Sequence, residues 1–591
     1  MHHPRIPGLE PKLGLARAAP GFTARAALLL VLAFASALLT GGASGPAPAQ
    51  GAAGPVSAER GIVVASQADA ARAGAAMFER GGNAVDAAVA TALALAVTQP
   101  FSAGLGGGFF ALLRTAEGEV VALDARETAP AAAQRDMYLR PGVAEDASVL
   151  GPLAVATPGF APGLFQLQKG YGKLAFAEVV APAIRLAEEG FETGYYHAEV
   201  LRAMRDQGFE NRFPETARIQ FPPPGEPIRP GRRVVQKDLA RTLRLLAEKG
   251  PEVVTKGEVA ARIADEMKRR GGLVTREDLA AYRTKRRAPV RGSYRGLEVV
   301  SFPPPSSGGA VLVEALNVLE GFDLASLAPG SPEESHLVVE AMKLAFADRA
   351  AWFGDPDFVE VPVARLTSKE YAARLRERIR PEGPAIEVKG SGLPSQDAGT
   401  THLSTADAAG NAVALTMTIN TPFGSGITVP GTGIVLNNEM DDFAKAPDTP
   451  NVYGLVDTRG ANAIAPGKRP LSSMTPTILL RGNRPFLVTG SPGGPRIIST
   501  TLLTILAVVD HRRDARAAVA AARYHHQWVP DRVSVEPGVP ESVVKALRER
   551  GHEVQRAGAA WSSAQVVVVD PETGRLTGGS DPRGDGIAAG F

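Results

Sequence analysis

The 591-residue chain sets 64 Lys and Arg against 62 Asp and Glu, a formal net charge of +2. With no long basic run, nothing in that balance points to nucleic acid as a partner. Cysteine is absent, which excludes disulfides, a cysteine nucleophile and thiolate metal sites without identifying a compartment. The length provides for more than one average domain, or one large α/β body with a deep core.

The first fifty residues read as a secretory leader. Arg5, Lys12, Arg17 and Arg25 give a positive start, residues 26–39 an apolar run broken only by Ser36, and Ala47-Pro48-Ala49 a small-x-small cleavage site. An apolar run of about 14 residues falls short of the roughly 20 that span a bilayer. No cysteine follows it to carry a lipid. The reading is export to a periplasm or the exterior, with residues 1–49 removed and no stable membrane span afterwards.

From 66 to 97 the chain predicts two helices. The first ends at Gly81-Gly82; Asn83 caps the second, with Asp86 at its third position. The glycine cluster at 102–110 matches no nucleotide-binding spacing and reads as close backbone packing at a sheet edge. Strands are predicted at 111–114 and 120–124. The second is followed by Arg126, whose planar fork suits a carboxylate. Residues 150–290 read as mostly helical, with Leu239, Leu243 and Leu246 on one apolar face and Ile263 and Met267 on another. Thr275 with Asp278, and Ser331-Pro332-Glu333-Glu334, are helix starts of capping-box type; the second helix runs to about Phe353. No internal repeat is seen. The Gly-, Pro- and Ser-rich stretch 381–398 reads as a flexible, cleavable connector.

The segment 397–420 predicts a β-hairpin. Thr401, Leu403 and Thr405 alternate with His402 and Ser404; after a turn at Ala408-Ala409-Gly410-Asn411, Val413, Leu415, Met417 and Ile419 share one face. Thr416, Thr418 and Asn420 then share the other, a polar set held on a rigid strand. Gly399 precedes Thr400, and threonine pairs also occur in strands for steric reasons alone. Downstream, 437–443 is an acidic cluster whose spacing does not fit an EF-hand loop. His525 and His526, adjacent on a strand, point to opposite faces and suit a structural role better than one shared metal. Residues 565–569 and 574–576 read as a closing hairpin.

Jointly these segments resemble the γ-glutamyltranspeptidases of the N-terminal-nucleophile hydrolase superfamily. The resemblance is carried by Thr400-Thr401-His402, Gly410-Asn411-Ala412-Val413, residues 437–443, Arg469-Pro470-Leu471-Ser472-Ser473-Met474, residues 490–494, Phe302-Pro303-Pro304-Pro305-Ser306-Ser307-Gly308-Gly309 and His525-His526-Gln527-Trp528. It implies an α+β fold, a four-layer αββα sandwich, and a proenzyme that cuts itself between Gly399 and Thr400. A large chain (50–399) and a small chain (400–591) would interleave as a heterodimer. Thr400 would be the nucleophile, its freed α-amino group the base, and Thr418 the second threonine that bonds to it. Arg126, Ser472 and Ser473 would hold the substrate carboxylate. Asn420, Glu439 and Asp442 would receive its ammonium, with glutamate at 439 where many bacterial members carry glutamine. Gly493 and Gly494 would supply oxyanion N–H groups, and Tyr453, in the 443–454 loop, would close against Asn420. The implied reaction transfers the γ-glutamyl group of glutathione or related amides to water, amino acids or peptides, with no cofactor and no metal. The alternatives are an acylase for a glutaryl-cephalosporin or poly-γ-glutamate type amide, and a non-catalytic exported binding protein.

Overall fold

Residues 55–388 and 399–591 are described by the computed structural model. The predicted leader at 1–49, and the 389–398 portion of the predicted connector, lie outside them. Apolar alternation builds strands β1 (Val56–Ala58), β2 (Gly61–Ala65), β3 (Gly108–Arg114), β4 (Val120–Ala125), β5 (Lys285–Arg287), β6 (Val290–Tyr294) and β7 (Leu297–Ser301). After the connector come β8 (Thr400–Asp407), β9 (Ala412–Thr418), β10 (Thr477–Arg481), β11 (Arg484–Gly490), β12 (Gln565–Val569), β13 (Leu576–Ser580) and β14 (Ile587–Gly590). They pair into two seven-stranded sheets, in the orders β1-β13-β12-β11-β10-β7-β6 and β14-β2-β8-β9-β3-β4-β5.

Helices cover the outer face of each sheet. Against the second lie α1 (Ala68–Glu79), α2 (Ala84–Thr98), α3 (Phe160–Tyr171) and α4 (Phe176–Glu189), followed in the chain by α5 (Tyr195–Asp206), α6 (Lys237–Lys249) and α7 (Glu258–Arg270). Against the first lie α8 (Gly308–Leu319), α9 (Pro332–Trp352), α10 (Arg496–Val509) and α11 (Glu541–Glu549). Between the sheets runs a third apolar layer including Val64, Phe110, Leu112, Val300, Phe302, Ile478 and Val488. The layers are therefore helix, sheet, sheet, helix, as the resemblance implies. No helix among the described residues is long and apolar enough to cross a membrane.

The predicted hairpin is β8–β9, every residue of its two strands buried. Leu403, Val413, Leu415 and Met417 enter the layer under the helices, while Ala406, Ala412 and Ala414 enter the layer between the sheets. A leucine cut back to alanine in such a layer costs about 2–5 kcal/mol. A one-residue slip would turn the whole set over, so the two apolar layers fix which way Thr400 faces.

Several expectations need correction. The glycine cluster does not lie at a sheet edge: β3 is flanked by β9 and β4. A Cβ on Gly106 would sit 2.1 Å from the Val435 carbonyl oxygen, and one on Gly107 2.1 Å from that of Thr418. The glycines let backbone approach the end of a central strand. The Thr275–Asp278 capping box forms, but the one at Ser331 is only half made. Ser331 accepts from the Glu334 N–H, whereas the Glu334 carboxylate turns to the Gly330 N–H and to His511. Strand β14, too short and small-residued to show a period, had no sequence signal.

Candidate active site

Antiparallel register sets Thr400 opposite Thr418. A short network follows from the hydroxyl count. The Asn420 N–H donates to Thr418 Oγ1 at 2.7 Å, and the Thr418 hydroxyl donates to the Gly399 carbonyl at 3.2 Å. With its one hydrogen so used, Thr418 Oγ1 accepts from the Thr400 hydroxyl at 3.0 Å. The nucleophile candidate is thus aligned beside the carbonyl that precedes it. Gly399 is required by crowding: a Cβ there would lie 2.5 Å from the Thr421 carbonyl and 2.7 Å from that of Phe101. Asn420 holds a left-handed backbone (φ +79°), which turns the chain out of β9 and brings its N–H onto Thr418. His402, pushed down to about 3 by burial, is neutral and engaged by Thr416 and Ser404 at 2.8 and 3.1 Å. It is not placed to serve Thr400 as a base.

Beside Thr400 lies a cavity whose polar lining includes Arg126, Arg349, Asn420, Asp442, Tyr453, Ser472 and Ser473, with Leu455, Leu471, Met474 and Ile497 as its apolar wall. Arg126, 1% exposed, follows β4. Its backbone carbonyl accepts from Arg469 Nη1 at 2.7 Å and from the Tyr282 hydroxyl at 2.8 Å. Its guanidinium meets Glu439 at 2.6 Å, pairs with Asp442, and lies 3.6 Å from Glu127. Burial pushes all three carboxyls up, Glu127 to about 7, against the downward pull of Arg126. Ser472 is cradled by the Phe302–Gly309 motif: its carbonyl accepts from the Ser307 N–H and hydroxyl, both at 2.9 Å. Its Oγ accepts from Met474 N–H at 3.0 Å. Ser473 Oγ accepts from Arg349 at 3.4 Å. Gly493 and Gly494 join β11 to the N-terminus of α10 with φ of +127° and +56°. A helix N-terminus presents unpaired N–H groups and positive potential there.

The loop after the acidic cluster folds over this cavity. The Tyr453 hydroxyl is shared between Asn420 Oδ1 and O, at 2.6 and 2.8 Å. Val452 N–H donates to Asp441 at 2.9 Å, and Gln527 holds the Tyr453 carbonyl at 3.1 Å. Tyr453 does not pack merely within its own loop.

Residues 70–591 match the family model described as Gamma-glutamyltranspeptidase. The chain belongs to the γ-glutamyltranspeptidase family. It is 44% identical over 543 residues to the glutathione hydrolase proenzyme of Escherichia coli (strain K12), covering 91% of this chain and 93% of that protein. It is 40% identical over 542 residues to the Acylase ACY 1 proenzyme of Pseudomonas sp. (strain SE83), covering 90% and 94%. Among solved structures it resembles a cephalosporin acylase from Bacillus halodurans, with TM-score 0.81 and 32% identity over 93% of this chain and 99% of that one. The chain is an enzyme of the γ-glutamyl-transferring and hydrolysing type.

Every site residue read from the family resemblance lies at or beside the Thr400 cavity. Two others were missed. Arg349, on α9, lines the same cavity, buried and pushed down to about 10 by desolvation; on a helix that also carries Glu340, Lys343 and Asp348, nothing in the sequence singled it out. Glu127 stands in the sequence next to Arg126, yet nothing there showed that it is buried against it. His525 and His526 do have separate partners, Ser499 and Gln527 for the first and Asp531 for the second. A further ligand-type cluster, His336, Glu340 and His552, also went unseen in the sequence. There the two imidazoles bond each other at 2.9 Å and Lys343 lies 3.0 Å from Glu340. Lys343 also holds the Ile386 carbonyl at 2.9 Å and Glu340 its N–H at 2.9 Å, so the cluster ties the described start of the connector to α9.

Proposed function

We propose that this protein hydrolyses or transfers the γ-glutamyl group of glutathione and related amides through an ester on Thr400. The observation that carries the reading is the charge pattern beside Thr400, an arginine and two serines next to three carboxyls. That set matches a zwitterionic α-amino-acid head. The carboxylate would go to Arg126, Ser472 and Ser473, and the ammonium to Asn420, Glu439 and Asp442. Arg349 would add positive charge on the carboxylate side. A glutaryl acyl group has no amine to balance Glu439 and Asp442, which disfavours the acylase alternative despite the acylase relatives.

The steps follow from the residues. In the precursor the Thr400 hydroxyl attacks the Gly399 carbonyl, polarised by Thr418; the peptide C–N bond breaks, the nitrogen takes the proton, and water opens the resulting ester. The freed α-amino group, with a reference pKa of about 7.7–8, suits general-base work near neutral pH. In turnover Thr400 Oγ1 attacks the γ-carbonyl, and the tetrahedral oxyanion faces the Gly493 and Gly494 N–H groups. Such a donor is worth about 2.7–4 kcal/mol. The leaving amine takes a proton, and water or an acceptor amine releases the acyl group. Processing would leave residues 50–399 and 400–591 as two chains of one heterodimer, exported to a periplasm or the exterior once the leader is removed.

The test is a denaturing gel with N-terminal sequencing and a γ-glutamyl anilide assay. Wild-type protein should run as two pieces, the smaller beginning Thr-Thr-His; Thr400→Ala should stay whole and be inactive. A fully active uncut chain refutes the mechanism.

A further inference from the structure

Thr400 also lines a second cavity, on the side of Gly493, walled by Ser102, Tyr196, Trp561 and Ser562 and rimmed by Glu199 and Arg583. With the acyl group held on the Arg126 side, the leaving group and the incoming amine must occupy this one. Its charge is unusual for a site that receives free amino acids. Arg583 is the only cation among the described lining residues. All five of its N–H donors are engaged, by Glu536 at 2.8 and 2.6 Å, Asp581 at 3.0 Å, and the Val519 and Ala521 carbonyls at 2.9 Å each. Arg496 is not among the lining residues and is stacked on the Trp561 ring, 4.4 Å from its centroid. Asp585, also nearby, caps the start of α5 through the N–H groups of Tyr196 and His197. Glu199, on α5, is exposed at the mouth and makes no ion pair among the described residues.

Resting on the function proposed above, we infer that Glu199 is a specificity-determining residue that makes this cavity select amines without a carboxylate, such as amino-acid amides and aromatic amines, over free amino acids. A carboxylate entering would find the one lining guanidinium, Arg583, fully engaged and would be repelled by Glu199. A neutral or cationic amine would enter without that cost. In the step itself the amine nitrogen bonds to the γ-glutamyl carbonyl, the C–O bond to Thr400 breaks, and the proton lost by the nitrogen returns to Thr400 Oγ1 by way of its α-amino group.

The experiment uses the self-cleaved enzyme, a saturating γ-glutamyl anilide donor, and phenylalaninamide against phenylalanine as acceptors. Their amines differ in basicity, so the quantity to compare is the amide-to-acid ratio of kcat/KM in wild type divided by that in Glu199→Gln and Glu199→Lys. Each variant's rate with water as acceptor is the internal reference. Intrinsic reactivity cancels in that quotient. An exposed charge interaction of 0.2–1 kcal/mol predicts a drop in selectivity of about 1.4- to fivefold for Gln and more for Lys. Added salt should erode the wild-type preference. A quotient of one in both variants, with donor turnover present, overturns the role of Glu199. Absence of any donor turnover in wild type overturns the reading on which it rests.

Discussion

Arg126 carries one positive charge into a site that already holds three carboxyls. Glu127, Glu439 and Asp442 crowd its guanidinium, and burial raises all three. Charges so buried are stable only when paired. Without a substrate Arg126 serves as counter-ion to the acids; a zwitterionic head group lets each side exchange one partner for another at constant net charge. Geometry matters here as much as charge, because a guanidinium can bind a carboxylate with two parallel donors while keeping a third for its neighbours. Arg126→Lys keeps the charge and loses the fork. Losing one charge-assisted bond of about 1.5–3 kcal/mol should raise KM for γ-glutamyl substrates about ten- to hundredfold, with kcat changed less, measured by initial rates on the anilide. An unchanged KM would place the carboxylate elsewhere.

At the scale of elements, the 443–454 loop is tied to the site near its C-terminal end: Tyr453 bonds Asn420, Gln527 holds the Tyr453 carbonyl, and Asp441 accepts from the Val452 N–H. A closed loop keeps water from the charged contacts below and strengthens them. Deleting residues 447–452 should lower kcat/KM for glutathione on the order of tenfold, the worth of one or two hydrogen bonds, and admit larger amides such as glutamyl polymers. If neither the kinetics nor the substrate range moves, the loop is not a lid. The β8–β9 hairpin was legible because its period of two is written in Val413, Leu415, Met417 and Ile419 against Thr416, Thr418 and Asn420. The capped helix at Asn83 was legible because the cap is local. The glycine cluster was misplaced to a sheet edge because glycines report close approach but not what approaches. Arg349 was invisible because its partners Ser307 and Ser473 are distant in the chain, and Glu127 because its burial is set by tertiary packing; no periodicity encodes either.

Across the whole molecule, both sheets mix strands from either side of residue 399: β1, β6 and β7 with β10–β13 in one, and β2–β5 with β8, β9 and β14 in the other. A cut at Thr400 therefore severs the chain without separating a domain, and stability stays a property of the joint body. One buried group makes that stability depend on pH. Glu314, on α8, is wholly buried, and its carboxyl is raised well above the usual range, first by burial and then by the negative charge of Asp348 on α9. The Asp348 carboxylate itself accepts from the Tyr371 hydroxyl at 2.6 Å. A carboxyl whose folded pKa lies above the unfolded value of about 4.3 binds more protons in the folded state than in the unfolded one. Its contribution is thus fully present below about pH 4.3 and is lost as pH rises from there to the folded pKa. Glu314→Gln keeps the shape of the protonated acid and cannot ionise, so it removes this one slope and leaves the others. Thermal unfolding of both proteins from pH 4 to pH 9 should show the Tm of the variant gaining on that of the wild type as pH increases. A difference in Tm that is flat across the range would mean that Glu314 is ionised in the folded protein, with a cation as its partner.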